Sequence, residues 1–172
     1  ILMPAATRLD NEIADALPPA HCDPVVFHQV LLRGIRHARR GLGHDGRLGI
    51  RLRLAQTGRR ACVSCREGFE GNYIELVIED SGSRLSEQQI RGLGAAPPHD
   101  AAAGSALDDL TEIHALVHGQ GGHLQIRQSE PAGTGLHIYF RAATPEQIED
   151  RAARARSTVT RFPFIRLREP RE

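Results

Sequence analysis

The sequence contains no lysine and no tryptophan, and aromatic residues make up only 4% of its 172 positions. All 22 basic residues are therefore arginine. Walker-type phosphate loops, protein-kinase strands and Schiff-base enzymes each need a lysine amine, so these classes of function are excluded. No apolar run approaches the ~18 residues of a membrane span and no signal peptide opens the chain, so we expect no membrane contact.

Charge and cysteine content favour a protein of the cytoplasm. The net charge of +1 gives no general reason to bind nucleic acid, and 40% hydrophobic content suits one globular domain with a short extension. Three cysteines, an odd number, without a secretion signal indicate a reducing compartment. Cys62 and Cys65 have metal or redox spacing, but alternation around them predicts a strand, and we expect ordinary reduced thiols.

The histidines offer a weak metal motif. His114 and His118 are one helical turn apart and His123 is nearby, so a zinc site is conceivable. No glutamate joins them in a catalytic pattern, and nine histidines make chance pairs common. From the sequence alone we predict neither a metal site nor a catalytic residue.

The segment Tyr73–Gly82 organises the rest of the chain. Its apolar residues Ile74, Leu76 and Ile78 alternate, which predicts a strand with one buried face. Asp80 points the same way because side chains repeat every two residues along a strand. A carboxylate at the end of a buried face, followed by Ser81-Gly82, indicates either a binding group or a simple turn cap.

Other segments have the periodicity of strands or helices. The further predicted strands are residues 5–17, 47–54 (with Leu48, Ile50, Leu52 and Leu54 inward), 123–127 and 136–140. The predicted helices begin at Asp23-Pro24, at the capping box Ser86–Gln89, near Leu107 and at the capping box Thr144–Gln147. Residues 91–106 are expected to form a long loop of the lid type.

The element order predicts an α/β (α+β) two-layer sandwich, in which three main helices cover one face of a mixed, mostly antiparallel sheet of about five strands. Residues 1–142 are expected to form this domain. Residues 143–172 are expected to form a C-terminal helix and an apolar tail that docks on the domain or on a partner, because the tail carries Phe162, Phe164, Ile165 and Leu167.

Four stretches stand in an order that a known family shares: the helix from Asp23, then Glu79-Asp80-Ser81-Gly82, then Val117–Leu124 with Gly121-Gly122, then Gly133–Phe140. With them the chain resembles the histidine-kinase-type ATPase domain of the gyrase, Hsp90, histidine kinase and MutL class, which has the Bergerat-type ATP-binding fold. The resemblance implies that Asp80 accepts a hydrogen bond from the adenine amino group. It implies a nucleotide site formed by Asp80, Gly82, Gly133, Thr134, Arg33 and His37.

The chain departs from the family pattern where magnesium and phosphate should bind. His37 stands in place of the magnesium-holding Asn, and Arg33 in place of a further Asn one turn earlier. Magnesium prefers oxygen ligands, which neither residue supplies. Arg84 replaces the second glycine of the Asp-x-Gly-x-Gly motif.

The lid pattern is absent as well. The family's Gly-x-Gly-x-Gly run, whose backbone amides close on phosphate, is replaced by residues near Ser105–Asp109. We expect carboxylates of Asp108 or Asp109 at the phosphate position, where like charges about 4 Å apart cost about 4 kcal/mol. Ile90–Leu93 also lacks the family's phenylalanine.

We therefore expect a degenerate, pseudokinase-like ATP-binding domain of a bacterial two-component sensor histidine kinase. It would signal by protein contact with a dimerisation or phosphotransfer domain, a response regulator or another signalling protein. ATP or ADP would bind, if at all, without a well-formed magnesium site. Arg33, His37 and Arg84 would then form a solvated basic face.

Two alternatives remain. In the first, an active kinase domain transfers the ATP γ-phosphoryl group to a histidine on a separate dimerisation domain, with Arg33, His37 and Arg84 replacing the metal. The second is an anti-sigma-type partner-switching regulator. No histidine has the phosphoacceptor context of the family, and no dimerisation helices are expected before residue 8.

Overall fold

The computed structural model describes residues 6–93, 106–128 and 133–150. Most of the predicted lid loop and the apolar tail after residue 150 lie outside the described residues, so those expectations stay predictions. The chain divides into two units, residues 1–142 and residues 143–172. Among the described residues, none of the helices combines the length and apolarity needed to cross a membrane.

The first unit is built on a mixed sheet in the order β1-β2-β3-β5-β4. β1 pairs with β2 in parallel, whereas all the other pairs are antiparallel. The strands are β1 (Arg8–Ile13), β2 (Arg47–Ala61), β3 (Gly68–Asp80), β4 (His123–Gln128) and β5 (Thr134–Arg141). The predicted five-stranded, mostly antiparallel sheet is confirmed.

β3 lies at the centre of the sheet because it pairs with β2 on one side and β5 on the other. Its residues from Tyr73 to Ile78 are buried on both faces. The face of Ile74, Leu76 and Ile78 is covered by helices, and at Gly34 a methyl group would overlap the side chain of Ile78. The core therefore sits between this face and the helices.

The first unit has three helices among its described residues, and two of them begin at the capping residues that the sequence predicts. They are α1 (Pro24–Gly41), α2 (Glu87–Gly92) and α3 (Ala106–Gly119). The carboxylate of Asp23 accepts a hydrogen bond from the backbone N–H of Val25 at 2.7 Å, and Pro24 takes the first helical position. Ser86 and Gln89 form the predicted capping box of α2.

The second unit also begins as its sequence predicts. The backbone N–H of Thr144 donates to Gln147 Oε1 at 3.0 Å, and the N–H of Gln147 donates to Thr144 Oγ1 at 3.3 Å. Residues 145–150 are helical. This reciprocal pair satisfies two of the donors that a helix start leaves open.

Two details of the sequence prediction are wrong. Cys62–Cys65 does not belong to a strand but forms the turn between β2 and β3, where the N–H of Arg66 donates to the Cys62 carbonyl at 3.1 Å. Leu54 is 49% exposed rather than inward. β1 pairs with β2 only as far as Ile13 and Leu52, so Leu54 lies beyond the edge strand.

Candidate functional site

A cavity of about 240 Å³ lies where the end of α1, the end of β3 and the segment before α2 meet. We call it the Asp80 cavity. Its lining residues are His37, Arg40, Gly41, Asp80, Ser83, Arg84, Leu85 and Gln89. Two of them, Asp80 and His37, are residues that the family resemblance assigns to a nucleotide site.

Asp80 is only 5% exposed at the end of β3. Its Oδ1 accepts a hydrogen bond from the backbone N–H of Gly82 at 2.8 Å. Burial raises the pKa of Asp80, and this outweighs the lowering by the Gly82 and Thr134 backbone hydrogen bonds and by His37. The carboxyl group is thus a desolvated acceptor, held in place by the turn that follows it.

Close backbone approach fixes the wall beside Asp80. Gly133 has φ +118°, and a methyl group there would overlap the carbonyl oxygen of Asp80. A methyl group at Gly82 would overlap the carbonyl of Gly41 at the end of α1. Position 133 requires glycine, because only glycine adopts this positive φ readily and lacks the Cβ that would overlap Asp80.

Thr134 pairs with Asp80 across β3 and β5 and is fully buried. Its hydroxyl donates to the carbonyl oxygen of Ser83 at 3.2 Å. The structure therefore brings Gly82, Gly133 and Thr134 next to Asp80, although the hydroxyl of Thr134 serves to hold the Ser83 turn.

His37 lies on α1 one helical turn before Gly41 and is 7% exposed. The expectation of a solvated position is wrong for this residue, because its helix face turns toward the sheet. Arg40 and Arg84 line the same cavity. Three of the seven residues that line the cavity with Asp80 are therefore histidine or arginine.

Arg33 does not line the Asp80 cavity. Its Nε donates to the carboxylate of Glu112 on α3, which forms an ion pair between the two helices. The structure thus does not bring Arg33 to the lining of the cavity with His37, and its role at a nucleotide site stays a prediction. Its side chain is 29% exposed, so it is paired but still partly solvated. The helix turn that carries position 33 faces α3.

Asp109 is fully buried on α3 and binds two arginines of α1. Its carboxylate accepts from Arg36 Nε at 2.7 Å and from Arg40 Nη1 at 2.8 Å. The sequence predicts an uncompensated carboxylate at the phosphate position, but Asp109 is compensated by these two guanidinium groups. Arg40 thereby connects this ion pair to the Asp80 cavity.

Among the described residues that line the Asp80 cavity, the α1 residue His37 offers an imidazole rather than an oxygen ligand. Magnesium needs near-ideal octahedral oxygen coordination. One Asp80 oxygen already accepts a hydrogen bond, and two arginines line the same space, of which Arg40 is ion-paired with Asp109. The cavity is also smaller than the roughly 300–1,000 Å³ of typical ligand pockets.

A second polar cluster, on the opposite face of β3, has no signal in the sequence beyond strand alternation. Glu75 Oε1 accepts from the Tyr139 hydroxyl at 2.8 Å and lies 2.9 Å from His137 Nδ1, while Oε2 accepts from Arg53 Nε at 2.6 Å. Burial opposes ionisation, but hydrogen bonds from His137, Arg53 and Tyr139 lower the pKa of Glu75 to about 2. Burial and Glu75 raise the pKa of Tyr139 to about 12.

No protein-family model and no curated protein sequence matches the chain. Solved structures do resemble it. A mycobacterial sensor histidine kinase, MprB, is 18% identical with a TM-score of 0.57, over 81% of this chain and 88% of that one. The nucleotide-free catalytic domain of histidine kinase ThkA is 14% identical with a TM-score of 0.59, over 81% and 82% of the two chains.

The structure of the Acinetobacter baumannii histidine kinase AdeS, a longer chain, is also similar to this one. It is 18% identical with a TM-score of 0.54, over 81% of this chain and 56% of that one. At these identities the likeness concerns the fold.

Proposed function

The chain has the histidine-kinase-type ATPase fold, and from this we propose that it is a degenerate ATP-binding domain of a bacterial two-component sensor histidine kinase. It acts in signal transduction through protein contact and binds magnesium-ATP weakly or not at all. Its partner is a dimerisation or phosphotransfer domain, a response regulator or another signalling protein.

One observation carries the proposal: buried His37 lines the Asp80 cavity at the helix position where the family has its magnesium-holding Asn. An imidazole is a poor magnesium ligand, because magnesium prefers oxygen ligands in octahedral geometry. The adenine-side residues, by contrast, keep their relative positions, since Gly82, Gly133 and Thr134 all contact the Asp80 turn.

Titration calorimetry with ADP and with a non-hydrolysable ATP analogue, each with and without magnesium, tests this function. We expect no magnesium-dependent binding at micromolar nucleotide. Micromolar magnesium-dependent binding by the unmodified chain would overturn the proposal.

Two substitutions make the calorimetry diagnostic. His37→Asn returns an oxygen ligand to the cavity and should create or strengthen magnesium-dependent binding. Asp80→Ala is the matched control, since it removes the adenine acceptor and leaves the α1 residue His37 unchanged. If His37→Asn changes nothing while the fold is intact, His37 is not the determinant that we infer.

A second candidate function rests on the basic lining of the cavity. His37, Arg40 and Arg84 line the cavity, and an unusual active kinase would need such groups to offset phosphate charge without a metal. Arg40 would then exchange its bond to Asp109 for a phosphate oxygen. Transfer of labelled phosphate from ATP to a supplied dimerisation domain would support it. His37→Ala should then abolish the transfer.

A further inference from the structure

Four potential metal ligands converge at the other end of β3, far from the Asp80 cavity. Cys62 and Cys65 lie in the β2–β3 turn, His118 in the last turn of α3, and His123 at the first residue of β4. The sequence offers these residues as two unrelated pairs. The hairpin brings them together, because the N–H of Val63 donates to the carbonyl of Leu124 at 2.9 Å.

The ligand atoms lie close enough together for a tetrahedral zinc site to form with small side-chain movements. With Zn–S about 2.3 Å and Zn–N about 2.0–2.1 Å, neighbouring ligand atoms lie roughly 3.3–3.8 Å apart. Cys62 Sγ is 3.5 Å from His118 Nε2, and the sulfurs of Cys62 and Cys65 and a ring nitrogen of His118 all lie within 4.8 Å of one another. His123 Nδ1 is 4.0 Å from Cys65 Sγ.

The backbone around Cys62 supports a thiolate at that ligand. The N–H of Leu124 donates to Cys62 Sγ at 3.3 Å, a hydrogen bond that favours the anionic sulfur. Arg66, directly after Cys65, is the non-glycine residue with positive φ (66°) within the described residues. This costly conformation closes the turn so that both sulfurs face His118.

We propose that Cys62, Cys65, His118 and His123 bind a zinc ion, which links the β2–β3 turn to the corner between α3 and β4. Three of the ligands are already in place, and His123 completes the site by a small movement of its ring. Binding two thiols releases their protons, because the thiolate is the ligand form. This site is independent of the function proposed for the Asp80 cavity.

The same cluster has a metal-free explanation. The Ser64 hydroxyl lies 3.2 Å from Cys62 Sγ and 3.0 Å from His118 Nε2, so Ser64 bridges two of the ligands by hydrogen bonds. Ser64→Ala separates the explanations. A zinc site keeps its metal in this variant, whereas a hydrogen-bond network loses its central member and gains no dependence on zinc.

The test uses the full chain, purified under reducing conditions, incubated with zinc and freed of excess metal by gel filtration. Metal analysis should give one zinc per chain, and a chelator should lower the melting temperature. Cobalt(II) should give the charge-transfer absorption of two thiolate ligands. Less than about 0.1 zinc per chain after incubation of the folded, reduced chain would overturn the proposal.

Ligand variants and matched controls locate the ion. Cys65→Ser and His118→Ala should each weaken zinc binding by more than the roughly 10–100-fold that second-shell changes cost. Cys22→Ser and His44→Ala are controls for the same residue types outside the cluster and should retain full zinc. Equal zinc retention by Cys65→Ser and wild type, with circular dichroism confirming the fold of both, would show that the metal sits elsewhere.

His123→Ala decides the fourth ligand. We expect weaker zinc binding and a changed cobalt(II) spectrum, with the fold kept, since His123 is only half-buried. An unchanged spectrum would contradict the four-ligand site, whatever the other variants show.

Discussion

The two ends of β3 differ in the metal chemistry that their side chains allow. At the C-terminal end, Asp80 lies among His37, Arg40 and Arg84. At the N-terminal end, sulfur and imidazole groups converge around Cys62 and His118. The strand has 13 residues, which places the ends roughly 40 Å apart at about 3.3 Å per residue.

The difference teaches that the fold does not fix which metal a domain can hold. Hard oxygen ligands suit magnesium, whereas thiolates and imidazoles suit zinc. The Asp80 end has close backbone packing at Gly82 and Gly133, and its α1 residue is an imidazole. The opposite end has a ligand set of the zinc type, which is separate from the Asp80 cavity.

The largest expected effect tests the rigidity of the Asp80 end. Gly133→Ala combines a positive φ with overlap between the new methyl group and the Asp80 carbonyl. Backbone strain and overpacking each cost about 1–3 kcal/mol, so the free energy of unfolding should fall by about 4 kcal/mol. Denaturant titration monitored by circular dichroism measures it.

Gly71→Ala on β3 is the matched control. Gly71 has φ +120°, nearly the value at Gly133, but its added methyl group would meet nothing within 4 Å. It should therefore lose only the backbone term, about 1–3 kcal/mol. Equal losses for the two variants would mean that close packing at the Asp80 end contributes little.

The fold and the Asp80 end of β3 can be predicted from the sequence because their signals are local. Alternation in Tyr73–Gly82 gives the strand and the direction of Asp80, and Asp23-Pro24 gives the start of α1. Caps and strand periodicity depend on neighbours within a few residues. The family resemblance then places His37 and Asp80 in one site.

The remaining features depend on long-range pairing. The cysteine turn meets His118 only because β2 and β3 extend well past β1. Periodicity around Cys62 predicts a strand, and no local pattern reveals that the hairpin turns there. Likewise, the spacing of the α1 arginines does not reveal that two of them pair with Asp109. Asp109 lies on α3, which is distant in the sequence.

The second test concerns the buried charge between the two ends. The pKa of Glu75 is about 2 in the folded protein, below the ordinary value of 4.5, because His137, Arg53 and Tyr139 stabilise its ionised form. A lowered folded pKa contributes stability above the unfolded pKa, and that stability is lost as the pH falls. Between about pH 4.5 and pH 2 the loss should approach 3 kcal/mol.

Glu75→Gln should remove this part of the pH dependence, so that wild type loses more stability than the variant over the same window. Unfolding free energies at several pH values measure the difference. Glu79→Gln is the control on the same strand, because its carboxylate pairs with Arg51 and is 33% exposed. Parallel pH curves for wild type and Glu75→Gln would place the acid sensitivity elsewhere.

The smallest expected effect tests whether His37 or the Asp109 ion pair prevents magnesium-dependent nucleotide binding at the Asp80 cavity. Asp109→Asn frees Arg36 and Arg40, and because these arginines are 45% and 35% exposed, water can solvate them. The loss of stability should thus be about 2 kcal/mol, below the roughly 3–5 kcal/mol of a fully buried pair. Glu112→Gln, with a carboxylate 49% exposed, should lose under about 1 kcal/mol.

The same Asp109→Asn variant tests nucleotide binding. We expect no magnesium-dependent nucleotide binding, because His37 is unchanged. Micromolar binding would mean that the ion pair, rather than His37, prevents nucleotide binding.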